Sequence, residues 1–382
     1  MKAGIQYADG LSVEKICENG FREIELSIKN YDKLDEIKAA GVEISGVVFR
    51  LRNMVIEKNE KEVSKDILKE NAAEEFKNIV DKAIECNASY IVVETEGVNE
   101  AAVLEELVNE SSGWLGNINI AINIENGYTY CNNRFYHNEY SDSTVLVSLV
   151  KRIRLLCSSI DWKICLNIGH SNLLGINIRD MIKTCKGYIG LVHVNDNDGI
   201  KDMHQMPYTF TTGRGYPSTD WVHAIGMLCR CGYDGYYIFD TKGLWKRIPV
   251  QLQHNTLRLL KSVAEEWNEN CYRTGEYLNQ SGKKLILFGS GRMAQSYMEA
   301  WGELYRPDFI VDNNAEKWGQ RFMGIPIKPP EEILSLVPDE RNVWICNLNY
   351  EIIGKQLEDM GIQYKCYWDH YHCLLYTSDA AD

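Results

Sequence analysis

The segment INIAINIE, Ile118–Glu125, alternates strictly: isoleucine stands at 118, 120, 122 and 124, with Asn119, Ala121, Asn123 and Glu125 between. Successive side chains of a strand point to opposite faces, so the pattern predicts a strand with one aliphatic face and one polar face that ends in Glu125. Seven further β-rich runs accompany it, at about Ala3–Tyr7, Glu23–Ile28, Glu43–Arg50, Tyr90–Thr95, Lys163–His170, Gly190–Asn195 and Tyr236–Asp240. Amphipathic stretches separate them, KEVSKDILKENAAEEFKNIVDKAIE and STVLVSLVKRIRLLC among them, with apolar residues recurring at three and four. Eight strand and helix repeats over residues 1–270 predict a (β/α)8 barrel, in which one strand face packs on helices and the other points to the axis.

Cys271–Lys284, CYRTGEYLNQSGKK, is polar and reads as a linker. A new strand and helix pattern starts at KLILFGSG and predicts a second, smaller α/β domain of Rossmann-like type over residues 285–372. The last ten residues, CLLYTSDAAD (373–382), match one reading frame of a common sequencing adapter and are left out of the fold.

The chain has 382 residues, 45% hydrophobic and 25% charged, and a net charge of −13, which is the composition of a globular protein. The acidic balance argues against nucleic acid as a partner and favours a small polar ligand. With neither an apolar signal core nor a membrane-spanning run, a cytoplasmic protein is expected, and a homo-oligomer is compatible with the sequence. The twelve cysteines are widely scattered and are expected to be reduced, mostly buried thiols.

Strand parity then selects the residues that meet at the carboxyl end of the barrel. In KICLNIGH the residues Ile164, Leu166 and Ile168 face outward and Asn167 inward; in GLVHVND, His193 is inward; in YYIFD, Asp240 is inward. Glu125, Asn167, His193 and Asp240 therefore converge from four successive strands, where barrel enzymes build their sites. Oxygen and imidazole donors from different strands suit a divalent cation such as Mn²⁺, Mg²⁺, Co²⁺ or Zn²⁺. Glu25 in EIELS, and Glu94 and Glu96 in VVETEG, sit near other strand ends.

The motifs NIENG, CLNIGHSN, HVNDNDGIKDMH, GRGYPSTDW and GYDGYYIFD follow in that order on strands five to eight. They resemble the xylose isomerase-like barrel superfamily, specifically its sugar phosphate isomerase/epimerase members, over about residues 1–270. The resemblance implies a metal held by Glu125, Asn167, His193 and Asp240, with Glu125 and Asp240 exchanging protons with the carbon beside a carbonyl, and His170 on the substrate. Glu25 also has a counterpart in the family pattern. Two positions depart from that pattern. Asn167 stands in place of Asp and offers only a neutral oxygen, and Asp240 stands in place of Glu, which retracts the carboxylate by ~1.5 Å. Both weaken the expectation of a metal-dependent catalyst.

Asp202 and His204 form a D-x-H pair that related apurinic endonucleases use for a further zinc. Such a trinuclear site also needs histidines from strands two and three, and no His precedes His137, so the pair is expected to line the substrate site or order its loop. Arg214, between Gly213 and Gly215, is placed to meet a phosphate or carboxylate. The mechanism implied is removal of an α-proton to give an enediolate and its return elsewhere. The expected function is therefore isomerase or epimerase of a sugar or sugar phosphate. Alternatives are an inosose-type dehydratase and a sugar-sensing barrel without catalysis.

In the second domain, Gly289, Gly291 and Ala294 form a G-x-G-x-x-A turn, and Asp312 ends the run DFIVD. Both features fit dinucleotide recognition, NAD(H) in particular. The domain is short for that role, so a structural or docking function is preferred over cofactor binding.

Overall fold

The computed structural model describes residues 1–367 apart from 61–62, 117, 211–218 and 279–281. The chain divides into two compact units, Met1–Trp221 with Cys231–Glu266, and Val222–Arg230 with the chain from Trp267 onward.

Eight parallel strands close the barrel of the first unit: β1 (Lys2–Gln6), β2 (Glu23–Ser27), β3 (Glu43–Arg50), β4 (Tyr90–Glu94), β5 (Ala121–Glu125), β6 (Trp162–Asn167), β7 (Ile189–Val194) and β8 (Tyr236–Phe239). They follow one another around the barrel in chain order, and β8 pairs back onto β1. The parity read from the sequence holds in β5, where Ile122 and Ile124 are fully buried on the outer face while Ala121 packs on the axis. Val48, Tyr90, Val92, Cys165, Leu191 and Ile238 fill the barrel interior as an apolar floor, closed by the tilted ring pair Tyr90–Tyr236 at 5.8 Å. The polar ends of the same strands stand above it.

Gly46 makes this floor possible. It pairs in register with Tyr90, and a Cβ at 46 would lie 2.0 Å from the Tyr90 ring. Gly46→Ala is expected to cost about 1–3 kcal/mol through overpacking, read as a lower urea midpoint at unchanged slope. An unchanged midpoint would mean that the ring turns aside without cost.

The crossovers follow their local sequence. Asp142 caps the helix Ser143–Leu156, its Oδ1 accepting from the N–H groups of Thr144 (2.8 Å) and Val145 (3.1 Å). The helical reading of residues 61–85 is corrected in its first part. Val63–Leu68 is a strand paired antiparallel with Val55–Glu60, and helix begins at Ala72. The helical period starts only with Phe76, Val80 and Ala83, which are buried; Ile67 and Leu68 instead pair across a hairpin with Ile56 and Val55. Ile118–Ile120 lies before β5 rather than in it, and His170 lies in a helix, Ile168–Leu173, that starts directly after β6.

The helix Gln253–Leu278 continues through the first part of the expected linker. Beyond it a six-stranded mixed sheet forms, with β9 (Lys284–Phe288), β10 (Phe309–Val311), β11 (Arg321–Phe322), β12 (Ile325–Lys328), β13 (Arg341–Ile345) and β14 (Tyr364–Cys366) in the order β11-β12-β10-β9-β13-β14. Only the β11–β12 pairing is antiparallel. Period-two alternation in β9 gives the sheet two apolar faces. Leu285 and Leu287 pack with Tyr297 and Met298 of the helix Arg292–Trp301, and Ile286 and Phe288 pack with Ile353 and Leu357 of the helix Tyr350–Asp359.

Among the described residues Cys229 is disulfide-bonded, against the expectation of reduced thiols throughout. No helix among them is long and apolar enough to cross a membrane. Arg214 and residues 373–382 lie outside the described residues.

Candidate active site at the barrel mouth

The inward positions at the carboxyl ends of the strands are Gln6, Glu25, Arg50, Glu94, Glu125, Asn167, His193 and, one residue past β8, Asp240. Apart from Arg50 these side chains are buried. They sort into two connected groups.

The first is centred on His193. Its Nδ1 lies 2.6 Å from Glu125 Oε1 and its Nε2 2.9 Å from Glu25 Oε1. With a carboxylate at each nitrogen, both must donate, which requires the imidazolium. Burial opposes that charge, but Cys165, Glu25 and Glu125 outweigh it and raise the His193 pKa well above the ordinary value. Glu25 also accepts from Gln6 Nε2 at 2.9 Å. Glu25 is fully buried and bonded to His193 and Gln6.

Asn167 belongs to the same group. As N-cap of the helix Ile168–Leu173 its Oδ1 accepts from the His170 N–H (3.1 Å) and from Asn195 Nδ2 (3.0 Å), and its Nδ2 donates to Glu125 Oε1 (2.9 Å). The turn is tight, since a Cβ at Gly169 would lie 1.8 Å from Asn195 Oδ1. The bonds from Asn167 Nδ2 and His193 Nδ1 both fall on one oxygen of Glu125, Oε1. Its Oε2 is buried without a hydrogen-bond partner.

The second group joins the loops after β4, β5, β6, β7 and β8. Asp202 Oδ2 accepts from Tyr128 Oη (2.8 Å) and lies 2.9 Å from His204 Nε2. His204 Nδ1 lies 2.9 Å from Asp240 Oδ2, and Lys242 Nζ lies 3.4 Å from the same oxygen and 3.6 Å from Glu94 Oε1. Glu96 approaches His170 Nε2 at 3.4 Å, and Arg50 reaches Glu94 (3.0 Å) and Glu96 (3.6 Å). Burial opposes the charge on Asp240, yet His204 and Lys242 hold its pKa well below the ordinary carboxylate value. Glu94 moves the other way, raised by burial despite Lys242. A cavity of about 150 Å³ opens beside these groups, lined among others by Gln6, Tyr7, Arg50, Glu94 and Lys242.

No protein-family model matches the chain, and no curated protein matches it. Solved structures do. An L-ribulose 3-epimerase superposes with a TM-score of 0.52 at 15% identity, over 74% of this chain and 100% of its own. A D-psicose 3-epimerase crystallised with D-fructose gives 0.50 at 17% identity, over 69% and 98%. The closed barrel fold is shared with these two epimerases.

The metal set that this barrel family implies, Glu125, Asn167, His193 and Asp240, does not fit an ion as the side chains stand. Both nitrogens of His193 face carboxylates, and the Asn167 oxygen is taken by two N–H donors. Asp240 is bonded to His204 rather than to the His193 group. Three sets of acidic, imidazole and thiol donors come within 4.8 Å of one another: Glu125 with Cys165 and His193; Glu94 with Glu96 and Glu125; and Glu96 with His170, Asp202 and His204. Asp240 belongs to none of them.

Strand parity therefore brings Glu125, Asn167 and His193 together, and the loop residues His170, Asp202 and His204 join Glu96. Lys242, Tyr128 and Cys165 were missed. Cys165 carries the same inward parity as Asn167, and Tyr128 directly follows NIENG; Lys242 follows Asp240 by two residues with no pattern of its own.

In the second unit, Gly291 caps the helix Arg292–Trp301, and Gly289, at φ +106°, admits no Cβ because the Cys346 carbonyl would lie 2.8 Å away. Asp312 is fully used inside the chain. Its Oδ2 accepts from the Ser290 N–H (3.0 Å), Ser290 Oγ (2.5 Å) and Lys317 Nζ (3.0 Å), and its Oδ1 from the Asn314 N–H (2.9 Å). The acid expected to receive a ribose hydroxyl instead locks the glycine turn, which counts against NAD(H) binding.

Proposed function

We propose that this chain is an isomerase or epimerase of a sugar or sugar phosphate, moving a proton to and from the carbon beside a carbonyl. The observation that carries the reading is a pair of bare carboxylate oxygens at the mouth: Glu125 Oε2 and Asp240 Oδ1 are buried, and neither has a hydrogen-bond partner. A buried acceptor without a donor costs free energy, and a substrate hydroxyl or C–H group brought against it would give it a function. The printed activities of the two superposed epimerases agree with this chemistry.

In this reading Glu125 is oriented through Oε1 by Asn167 and His193 and takes the α-proton on Oε2. Asp240, held ionised by His204 and Lys242, is the acceptor on the other side. Lys242, whose charge is retained because Asp240 and Glu94 outweigh its burial, faces the negative charge that develops on the substrate oxygen. Glu94, favoured in its protonated form by burial, is the nearby proton donor.

Incubation in D2O with D-psicose, D-fructose, L-ribulose and their phosphates is expected to put deuterium on a carbon beside the carbonyl, followed by NMR. No exchange with any of these sugars, together with binding of one of them, would replace this reading by the sensing barrel. One feature favours that second reading: Asn167, whose amide serves as a helix cap and strut where the family has an acid.

A further inference from the structure

We infer that the cavity of about 150 Å³ at the barrel mouth receives a terminal oxyanion of the substrate, a phosphate ester or a carboxylate, so that the sugar this chain handles is an anionic one. The inference deepens the proposed function and rests on it for the place of the reacting carbon, on the Asp240 side of Lys242.

The charge of the lining runs against that of the chain. The sequence carries 54 acidic residues against 41 lysines and arginines, yet Lys29, Arg50, Lys242 and Lys246 line the cavity against Asp9 and Glu94. These cations come from separate segments: Lys29 follows β2, Arg50 ends β3, and Lys242 and Lys246 follow β8. Strands β8, β1, β2 and β3 are successive neighbours in the barrel, which brings their loops to one side of the mouth. A concave site with an excess of one sign focuses its field and concentrates ions of the other.

Donors are left over in this lining. The ammonium groups of Lys29 and Lys246 make no hydrogen bond or ion pair among the described residues. Arg50 donates from Nε to Glu94 (3.0 Å) and approaches Glu96 through Nη2 only at 3.6 Å, so the outer edge of its fork is free for a ligand. A guanidinium fork matches two oxygens of a phosphate or carboxylate, and flexible ammonium groups add point charges around them. Tyr7, buried on the same wall, has a hydroxyl without a partner among the described residues. The two acids are already engaged, Asp9 by Asn30 Nδ2 (2.7 Å) and Glu94 by Arg50.

Size and position agree with a substrate tail. The cavity is smaller than the roughly 300–1,000 Å³ that hold a whole drug-sized ligand, which suits one polar end of a molecule. Lys242 joins it to the reacting groups, its Nζ lying 3.4 Å from Asp240 Oδ2. A neutral ketose would leave the surplus cations facing it without counter-charge. A sugar with an oxyanion at its far end supplies that charge, and binding energy won there helps to hold the reacting carbon in place.

Calorimetric titration of the full-length protein with D-fructose, D-fructose 6-phosphate, D-fructuronate and inorganic phosphate tests this. At least one anionic sugar is expected to bind about 10-fold or more tighter than D-fructose, with an advantage that shrinks as salt is raised. Preference for the 6-phosphate assigns the oxyanion to an ester, and preference for the uronate assigns it to a carboxylate. The double variant Lys29→Gln/Lys246→Gln changes two exposed side chains and should keep its melting temperature and its affinity for D-fructose. Its affinity for the preferred anionic sugar should fall about 10-fold. D-Fructose bound as tightly as both anionic sugars, an anionic advantage that survives in the double variant, or no binding of any of the three anions would overturn the inference. Its failure is separable from that of the proposed function, which is read by deuterium exchange: lysine-dependent anion binding without exchange keeps the oxyanion site in a sensing barrel.

Discussion

Glu25→Ala is expected to destabilise the barrel by about 3–5 kcal/mol, the usual cost of removing one partner from a buried ion pair. Glu25 sits inside the barrel with no exposed surface and bonds both His193 Nε2 and Gln6 Nε2, so truncation strands two donors at once. Urea denaturation at neutral pH in the presence of chelator measures the effect. A loss below about 1 kcal/mol would mean that water replaces the carboxylate and that the His193 clamp is not structural.

The clamp also has a pH signature. The His193 pKa is raised in the folded state, so its contribution to stability is complete below the unfolded-state value of about 6.5 and is lost as pH rises through the folded-state value. The stability difference between the native chain and His193→Gln should therefore be largest in mild acid and shrink only on the alkaline side. A difference that grows with pH would show that His193 is neutral in its pocket.

Much of this architecture is legible in the sequence because strand parity is a local property. The alternation of isoleucine with Asn119, Ala121, Asn123 and Glu125 already separates the outer face from the axis, and the same count places Asn167, His193 and Asp240 inward. What parity cannot give is the partner chosen by each inward group. Eight strand ends present more donors than one site needs, and the shortened Asp240 carboxylate bonds to His204 in the β7 loop instead of joining Glu125.

Loops were the harder part. Asp202 and His204 stand two residues apart and are recognisable as a D-x-H pair, but Glu96 and His170 come from other crossovers and meet them only in three dimensions. The absence of histidine before His137 argues against a trinuclear centre. The strand Val63–Leu68 reads as helix in the sequence for a similar reason. Its few apolar residues satisfy either period, and the choice is made by cross-strand pairing and by the Arg52–Asp66 ion pair at 3.1 Å.

Glu125→Gln is the variant on which the catalytic reading turns. Gln keeps an oxygen to accept from Asn167 Nδ2 and His193 Nδ1, and it fills the same volume, so the barrel should remain folded with only a modest drop in melting temperature. It removes the one oxygen that has no other partner, Oε2, as a proton acceptor. Loss of a positioned general base costs about 10²–10⁴-fold, and deuterium exchange into an accepted sugar should fall by that factor while the sugar still binds. Asp240→Asn should act in the same direction but also loosen His204, whose Nδ1 lies 2.9 Å from that carboxylate, so the melting temperature should fall together with exchange. Exchange lost with sugar binding retained in Glu125→Gln assigns the base, whereas exchange retained leaves Glu125 as a strut for His193 and moves the acid/base chemistry to Glu94 and Asp240.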